Sequence, residues 1–128
     1  MESSRLVVDT NIFIEYLRAT DKINTKLYSI SSATRIYISS VTLYELLMGA
    51  TNEQKRQDVS LLVEDLIVLP FDDEVSIKAS EIYHQLKEIN KLIEFRDIFI
   101  AATCIVHYLP IMTTNKNHFS RIEGLEIF

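Results

Sequence analysis

The chain has 128 residues, of which 48% are hydrophobic, with only 2 glycines and 2 prolines. This length suits one domain, residues 1–128, and so few turn residues exclude a disordered chain or a protein of many short hairpins. The 18 acidic residues outnumber the 13 basic ones, for a net charge of −5. The chain as a whole therefore does not attract nucleic acid, and a phosphate substrate must be met at a local site.

The mean hydropathy is positive, at +0.11, yet no apolar run approaches the roughly 18 residues that span a bilayer. We therefore expect no membrane segment, and we expect a second copy of the chain to cover the apolar excess, as a homodimer. The N-terminal sequence lacks the basic and apolar pattern of a signal peptide, and Cys104 is the single cysteine. These features predict a cytoplasmic protein without disulfides.

Short β-branched runs alternate with helical patterns along the first half of the chain. Strands are predicted at residues 6–8 and 36–38, and helices at residues 11–18, 23–30 and 42–48. The helix at 23–30 is inferred from Ile23, Leu27 and Ile30, which are spaced by four and three. Gly49 is a usual helix stop. This alternation is typical of βαβ units, so the predicted fold class is α/β with a central, mostly parallel sheet flanked by helices.

The second half continues the alternation with longer helices. Apolar positions from Val59 to Leu66 indicate a helix, and residues 67–70 a strand that Pro70 ends or places at an edge. Asp72 or Asp73 caps a long helix with an apolar stripe. The remaining predicted elements are a helix at residues 97–108 that is apolar nearly all round, a strand at 111–112, a turn or short helix at 115–119, and a last strand at 125–128.

Three carboxylates occupy equivalent places in this pattern. Asp9 follows the first strand, Glu45 lies in the first turn of the helix after the second strand, and Asp97 opens the apolar helix. Parallel strands gather their carboxyl ends in one crevice, so we expect the three acids to converge there. Their mutual repulsion requires positive charge, and Mg²⁺ or Mn²⁺ prefers oxygen ligands.

Each acid also has a purely structural explanation. Asp9 can be an ordinary helix N-cap, Asp97 can cap its own helix, and Thr42 with Glu45 has the spacing of a capping box. For Glu45 taken alone, the capping box is the better explanation. Asp9 differs because it stands between two apolar runs, where an unpaired charge is costly. The combination of the three acids is what indicates a site.

Three separate segments, in the right order, carry a resemblance to a known family. They are residues 7–11 (VVDTN), 39–46 (SSVTLYEL) and 97–103 (DIFIAAT). Residues 69–72 (LPFD) and the C-terminal stretch from residue 112 to 125 also match. On these segments the chain resembles the PIN-domain nucleases, and specifically the VapC-type toxins of toxin–antitoxin modules.

The resemblance implies a PIN-like three-layer α/β/α fold and a Mg²⁺- or Mn²⁺-dependent endoribonuclease. Such enzymes hydrolyse RNA phosphodiester bonds and leave a 5′-phosphate, usually in tRNA or rRNA. The implied partners are the RNA substrate and a cognate antitoxin protein. The physical mechanism fits, because a cation lowers the pKa of a bound water and offsets charge on the phosphate oxygens.

The resemblance also assigns roles to residues of this chain. Asp9 and Asp97 correspond to direct metal ligands and catalytic acids, and Glu45 to a third acid that binds directly or through water. Many members have a fourth acid where this chain has Asn115, which leaves a second metal ion open. Hydrogen bonds that orient the acids or the attacking water are expected from Thr10, Asn11 and Thr113.

Several alternatives remain at this stage. One is a PIN fold that binds RNA without cleaving it, which Asn115 keeps open. Another is a receiver-type phosphoacceptor domain, although such domains have paired acids after the first strand and here Thr10 follows Asp9. Cys104 and His107 are three residues apart, but a thiol inside an apolar helix is usually inert. Four basic residues near the motifs either meet substrate phosphates or serve solubility: Arg18, Arg96, Lys116 and Arg121.

Overall fold

The computed structural model describes residues 4–128. Within that range four strands form one parallel sheet in the order β3-β2-β1-β4, and six α-helices surround it. The elements in chain order are β1 (Arg5–Val8), α1 (Thr10–Arg18), β2 (Arg35–Ser39), α2 (Ser40–Gly49), α3 (Glu53–Val63), β3 (Ile67–Leu69), α4 (Asp73–Glu88), α5 (Phe95–Val106), β4 (Ile111–Met112) and α6 (Lys116–Phe119).

Both faces of the sheet are buried, which produces two cores and three layers. Side chains along β1 alternate, so Leu6 and Val8 belong to one core and Val7 to the other. Helices α1, α2 and α3 cover the first face, and α4 and α5 cover the second. This is the expected arrangement for parallel strands, whose crossover helices lie on the sheet faces. The α/β prediction, with a three-layer architecture, is confirmed.

The strand order creates a switch point beside β1. From β1 the chain moves to β2 and then β3 on one side, whereas β4 lies on the other side of β1. The backbone N–H of Asp9 donates to the carbonyl oxygen of Met112 at 2.9 Å, which joins the two strand ends. The crevice at such a reversal is the usual ligand site of an open α/β sheet.

The predicted helix at residues 23–30 is wrong. The segment contains a single turn of 3₁₀ helix, Lys22–Asn24, followed by turns, and the side chain of Ile23 is 66% exposed. Hydroxyl side chains bind the local backbone instead: Thr25 Oγ1 donates to the carbonyl of Lys22 at 2.7 Å, and Ser29 Oγ to the carbonyl of Lys26. Such bonds compete with the helical hydrogen-bond pattern.

Two further boundaries differ from the sequence prediction. The last strand, residues 125–128, is reduced to a single bridge between Ile111 and Ile127, because β4 itself is only 2 residues long. Helix α5 begins at Phe95, so Asp97 lies in its first turn and Glu94 is the N-cap.

No helix in residues 4–128 is long and apolar enough to cross a membrane.

The capping box predicted for Thr42 and Glu45 is also wrong. Helix α2 begins at Ser40, and Ser39 is its N-cap, with its hydroxyl accepting from the backbone N–H of Thr42 at 3.0 Å. Glu45 therefore lies in the second turn, too far along the helix to reach the N-cap. Its carboxylate is free for other partners, which removes the structural explanation that competed with a functional one.

Candidate active site

A cleft of about 270 Å³ opens at the carboxyl end of β1, between the start of α5 and the second turn of α2. All three acids singled out from the sequence line it. The structure also places Asn115 at its wall, from the loop after β4. The residues around the cleft are Asp9, Thr10, Asn11, Ile14, Arg18, Glu45, Met48, Gly49, Glu94, Arg96, Asp97, Asn115 and His118.

Asp9 is the most buried of the three acids, at 4% exposure. Its Oδ1 accepts from the backbone N–H of Thr10 at 2.8 Å, and its Oδ2 accepts from the hydroxyl of Thr113 at 2.7 Å. Burial raises the pKa of Asp9 above its ordinary value; the hydrogen bonds from Thr113 and Thr10 act against this, and the charges of Asp97 and Glu45 raise it further. An ionised Asp9 thus lies where a cation would be strongly favoured.

Glu45 reaches the cleft from α2 and has partners on both oxygens. Thr10 Oγ1 donates to Oε1 at 2.8 Å, and Arg96 Nη1 donates to Oε2 at 3.0 Å. Arg96 Nε also lies 2.9 Å from Oε2 of Glu94. Thr10 therefore contacts two of the acids, through its backbone at Asp9 and its hydroxyl at Glu45. This is the geometry expected of a residue that orients acids.

Asp97 is held from the loop that follows β4. Its Oδ2 lies 3.1 Å from His118 Nδ1 and 3.3 Å from Asn115 Nδ2, and these two nitrogens are 2.8 Å apart. The backbone N–H of Asn115 donates to Thr113 Oγ1 at 2.9 Å. Because Thr113 also binds Asp9, one short loop fixes two of the three carboxylates.

His118 is a site residue that the sequence did not single out. The signal was its spacing, three residues after Asn115, which places both side chains on one side of the turn into α6. Asn11 is exposed and lines the cleft without a hydrogen bond to an acid among the described residues. Of the four basic residues, Arg18 and Arg96 line the cleft, and Lys116 and Arg121 do not.

Cys104 is fully buried in α5. Burial raises the pKa of its thiol far above the ordinary value, and the nearby charge of Asp9 adds to that effect. The thiol therefore stays protonated, as the sequence suggested, and offers no nucleophile.

The donor atoms of the cleft suit a hard divalent cation. They are carboxylate oxygens with an amide and hydroxyls beside them, which Mg²⁺ and Mn²⁺ prefer over thiolate ligands. Across residues 4–128 no three histidine, cysteine, aspartate or glutamate side chains are already arranged as a ligand group. Glu45 and Asp97 instead have Arg96 and His118 as partners. One or two direct carboxylates suffice for Mg²⁺, so the donor set fits.

Comparison with known sequences gives a consistent family match. The sequence model of the PIN domain matches residues 6–125. Ribonuclease VapC1 of Methanocaldococcus jannaschii is 32% identical over 129 residues, covering 99% of this chain and 89% of that protein. Ribonuclease VapC1 of Rickettsia felis is 35% identical over 129 residues, covering 95% of this chain and 93% of that protein.

Comparison with solved structures supports the same fold. The crystal structure of VapBC2 from Rickettsia felis, bound to a DNA fragment from their promoter, aligns with a TM-score of 0.84. The alignment covers 97% of each chain at 23% sequence identity. At this identity the likeness concerns the fold alone, over nearly the full length of both chains.

Proposed function

The chain belongs to the PIN-domain family, and on that basis we propose that it is a divalent-metal-dependent endoribonuclease and the toxin of a toxin–antitoxin pair. The observation that carries the proposal is the convergence of Asp9, Glu45 and Asp97 on one cleft at the switch point of the sheet. Two relatives that match nearly the whole chain are named ribonucleases. The implied partners are an RNA substrate, in tRNA or rRNA, and a cognate antitoxin.

Asp9 and Asp97 are the proposed direct ligands of Mg²⁺ or Mn²⁺, with Glu45 binding directly or through water. When bound, the cation would lower the pKa of a water molecule in the cleft and would place positive charge opposite the phosphate oxygens. Cleavage of the phosphodiester then needs no side-chain nucleophile, consistent with the protonated thiol of Cys104.

The work of the protein's own residues is to hold these acids in place. Thr113 and the backbone of Thr10 fix the two oxygens of Asp9. Asn115 and His118 contact one oxygen of Asp97, and its other oxygen has no hydrogen-bond partner among the described residues. Rigid positioning of this kind matters because catalysis depends on placing water and phosphorus within a narrow geometry.

Positive charge for RNA must be local, because the chain carries a net charge of −5. Arg18 and Arg96 line the cleft and are the candidates for contact with substrate phosphates. Contacts of this kind bind the backbone without reading sequence, so they do not define which RNA is cut.

The homodimer expected from the hydropathy remains a proposal, and the structure offers a surface for it. Tyr44, Met48 and Phe95 have side chains that are 63%, 61% and 64% exposed, on helices α2 and α5. Phe95 stacks near Phe99 at a centroid distance of 6.4 Å, and an open apolar groove runs between Tyr44 and Phe99. We call Tyr44, Met48, Phe95 and Phe99 together the aromatic face. A second copy of the chain is the proposed occupant of this face, because burial of a contiguous apolar patch is favourable.

The test of the nuclease compares the purified chain with the variant Asp97→Asn on a pool of cellular RNAs, with Mg²⁺ or Mn²⁺ and then with a chelator. We expect cleavage by the original chain with either ion, and a loss of at least about 100-fold in the variant or in chelator. Asp65→Asn, at an exposed turn, is the matched control and is expected to cleave normally.

The same experiment separates the alternatives. Equal cleavage by Asp97→Asn, or cleavage that survives the chelator, would rule out the metal-dependent nuclease. RNA that is bound but stays intact under every condition would favour an RNA-binding module without catalysis. Transfer of phosphate from a small phosphodonor to Asp9 would favour a phosphoacceptor domain.

A further inference from the structure

Glu45 differs from the other two acids because an arginine is its partner. Arg96 Nη1 lies 3.0 Å from Glu45 Oε2, and Arg96 Nε lies 2.9 Å from Glu94 Oε2. The side chains of Arg96 and Glu94 are 56% and 62% exposed, whereas that of Glu45 is 11% exposed. The guanidinium therefore bridges an outer carboxylate and an inner one at the mouth of the cleft.

The charges in the cleft make this contact informative. Partial burial alone would lower the pKa of Arg96, but Glu45, Glu94 and Asp97 raise it, so the guanidinium stays protonated. Its charge relieves the repulsion among the three acids. A divalent cation placed between those acids would supply the same relief and would repel Arg96, because like charges at short range disfavour each other.

The two contacts of Arg96 allow it to leave Glu45 while it stays bound to Glu94. The Arg96 side chain is 56% exposed, so water can take the place of Glu45 around its N–H groups once a cation has bound that carboxylate. The bond from Nε to Glu94 does not involve the Nη atoms, so the departure of Nη1 from Glu45 does not break it. A guanidinium tethered in this way presents its free N–H groups in the planar arrangement that binds phosphate.

We propose that Arg96 is a resident counter-ion of Glu45, which a divalent cation displaces, and that Glu94 then holds the released guanidinium at the cleft for an RNA phosphate. This inference rests on the proposed function, because it takes the three acids as the cation site. It makes cation loading and RNA binding two linked steps through one side chain.

The first test measures Mn²⁺ binding to the whole chain by isothermal titration calorimetry, without RNA, for the original protein and for Arg96→Gln. We expect the variant to bind Mn²⁺ about 3- to 5-fold more tightly, because the cation no longer has to break the Glu45 pair. A gain in affinity cannot arise from damaged folding. Arg18→Gln is the matched control: it removes a charge from the same cleft without a Glu45 contact, and its affinity should change less.

The second test measures RNA cleavage at saturating Mn²⁺. We expect Arg96→Gln to raise KM about 5-fold while kcat changes less, because the lost phosphate contact contributes mainly to binding. Arg96→Lys keeps the charge but loses the planar fork, and should fall between the two proteins.

The outcomes separate this inference from the proposed function. If Asp9→Asn abolishes Mn²⁺ binding but Arg96→Gln leaves it unchanged or weaker, the counter-ion role is wrong and the cation site stands. If the original chain binds no Mn²⁺, the proposed function fails, and the counter-ion role fails with it.

Discussion

Thr113 donates its hydroxyl hydrogen to Oδ2 of Asp9 at 2.7 Å, between residues that are 104 positions apart. The contact joins the ends of β1 and β4, the two strands that meet at the switch point of the sheet. Together with the backbone N–H of Thr10, it occupies one lone pair on each oxygen of a carboxylate that is almost fully buried. Asp9 is thus held rigidly while its charge remains without a basic partner among the described residues.

The first prediction is that Asp9→Asn stabilises the chain in the presence of a chelator. Asn caps helices as well as Asp, and it removes a charge that burial disfavours. We expect Tm at pH 7.5 to rise by about 4 °C, which corresponds to roughly 1 kcal/mol for a chain of this size. Thermal unfolding followed by circular dichroism measures this, with Asp65→Asn as the control.

The difference in stability between Asp9→Asn and the original chain depends on pH, because the pKa of Asp9 is raised. Burial is the main cause of that rise. A carboxyl whose folded pKa lies above its unfolded value binds a proton more readily in the folded state. Its contribution to the free energy of unfolding therefore grows as the pH falls through the folded pKa. The advantage of Asp9→Asn should shrink between neutral pH and pH 4, and an advantage that widens instead would contradict the assignment.

The second prediction concerns a chain of hydroxyl groups behind Glu45. Thr10 Oγ1 bonds to Glu45 at 2.8 Å and lies 3.0 Å from Thr42 Oγ1, which in turn lies 3.1 Å from Ser39 Oγ. An ionised carboxylate can only accept, so Thr10 donates to Glu45, Thr42 donates to Thr10, and Ser39 donates to Thr42. Removing the middle hydroxyl takes away the donor to Thr10 Oγ1 and the acceptor of the Ser39 hydroxyl, which are two buried hydrogen bonds.

We therefore expect Thr42→Val to lower the free energy of unfolding by about 1–2 kcal/mol. Thr42→Ser keeps the hydroxyl and should recover most of the loss. The matched control is Thr103→Val, because Thr103 is equally buried but its hydroxyl donates to the carbonyl of Phe99 within the same helix. Chemical denaturation measures the free energy of unfolding of all three variants. Equal losses for the two valine variants would show that the hydroxyl chain stabilises the fold no more than a single buried hydroxyl does.

The third prediction concerns Asn115, which stands where many related proteins have a fourth acid. Its side-chain nitrogen lies 3.3 Å from Asp97 Oδ2. Asn115→Asp adds a carboxylate beside an existing one, so without a cation their repulsion should lower Tm by a few degrees, on the order of 1 kcal/mol. Added Mn²⁺ should then raise the Tm of the variant more than that of the original chain, since a cation that binds the folded state stabilises it.

Asn117→Asp is the control for Asn115→Asp, because it adds the same charge at an exposed position of α6. Its Tm should respond to Mn²⁺ as the original chain does. An equal response of the two aspartate variants would mean that residue 115 does not face a cation site.

The fourth prediction concerns the aromatic face. Light scattering coupled to gel filtration should give the mass of a dimer at micromolar concentration, and the double variant Tyr44→Ser, Phe95→Ser should shift it to a monomer, because apolar burial drives such contacts. Leu61→Ser is the control, since Leu61 is 69% exposed on α3. A monomeric original chain would refute the homodimer.

The sequence by itself determined the architecture and the identity of the three acids. Short continuous apolar runs such as residues 6–8 specify strands buried on both faces, and Asp9 is conspicuous because it directly follows such a run. The same local rules failed at residues 23–30, where the spacing of Ile23, Leu27 and Ile30 fits a helix but the hydroxyls of Thr25 and Ser29 bind the backbone more favourably.

The tertiary structure decided which partners the acids have. Glu45 has the spacing of a capping box, yet the start of α2 at Ser40 and the approach of α5 give it Thr10 and Arg96 instead. The spacing of His118 after Asn115 places the two side chains together, but only the pairing of β4 with β1 brings them to Asp97. The physical reason is common to both cases: a hydrogen bond requires two groups within about 3 Å, and for groups far apart in sequence only the order of strands in the sheet sets that distance.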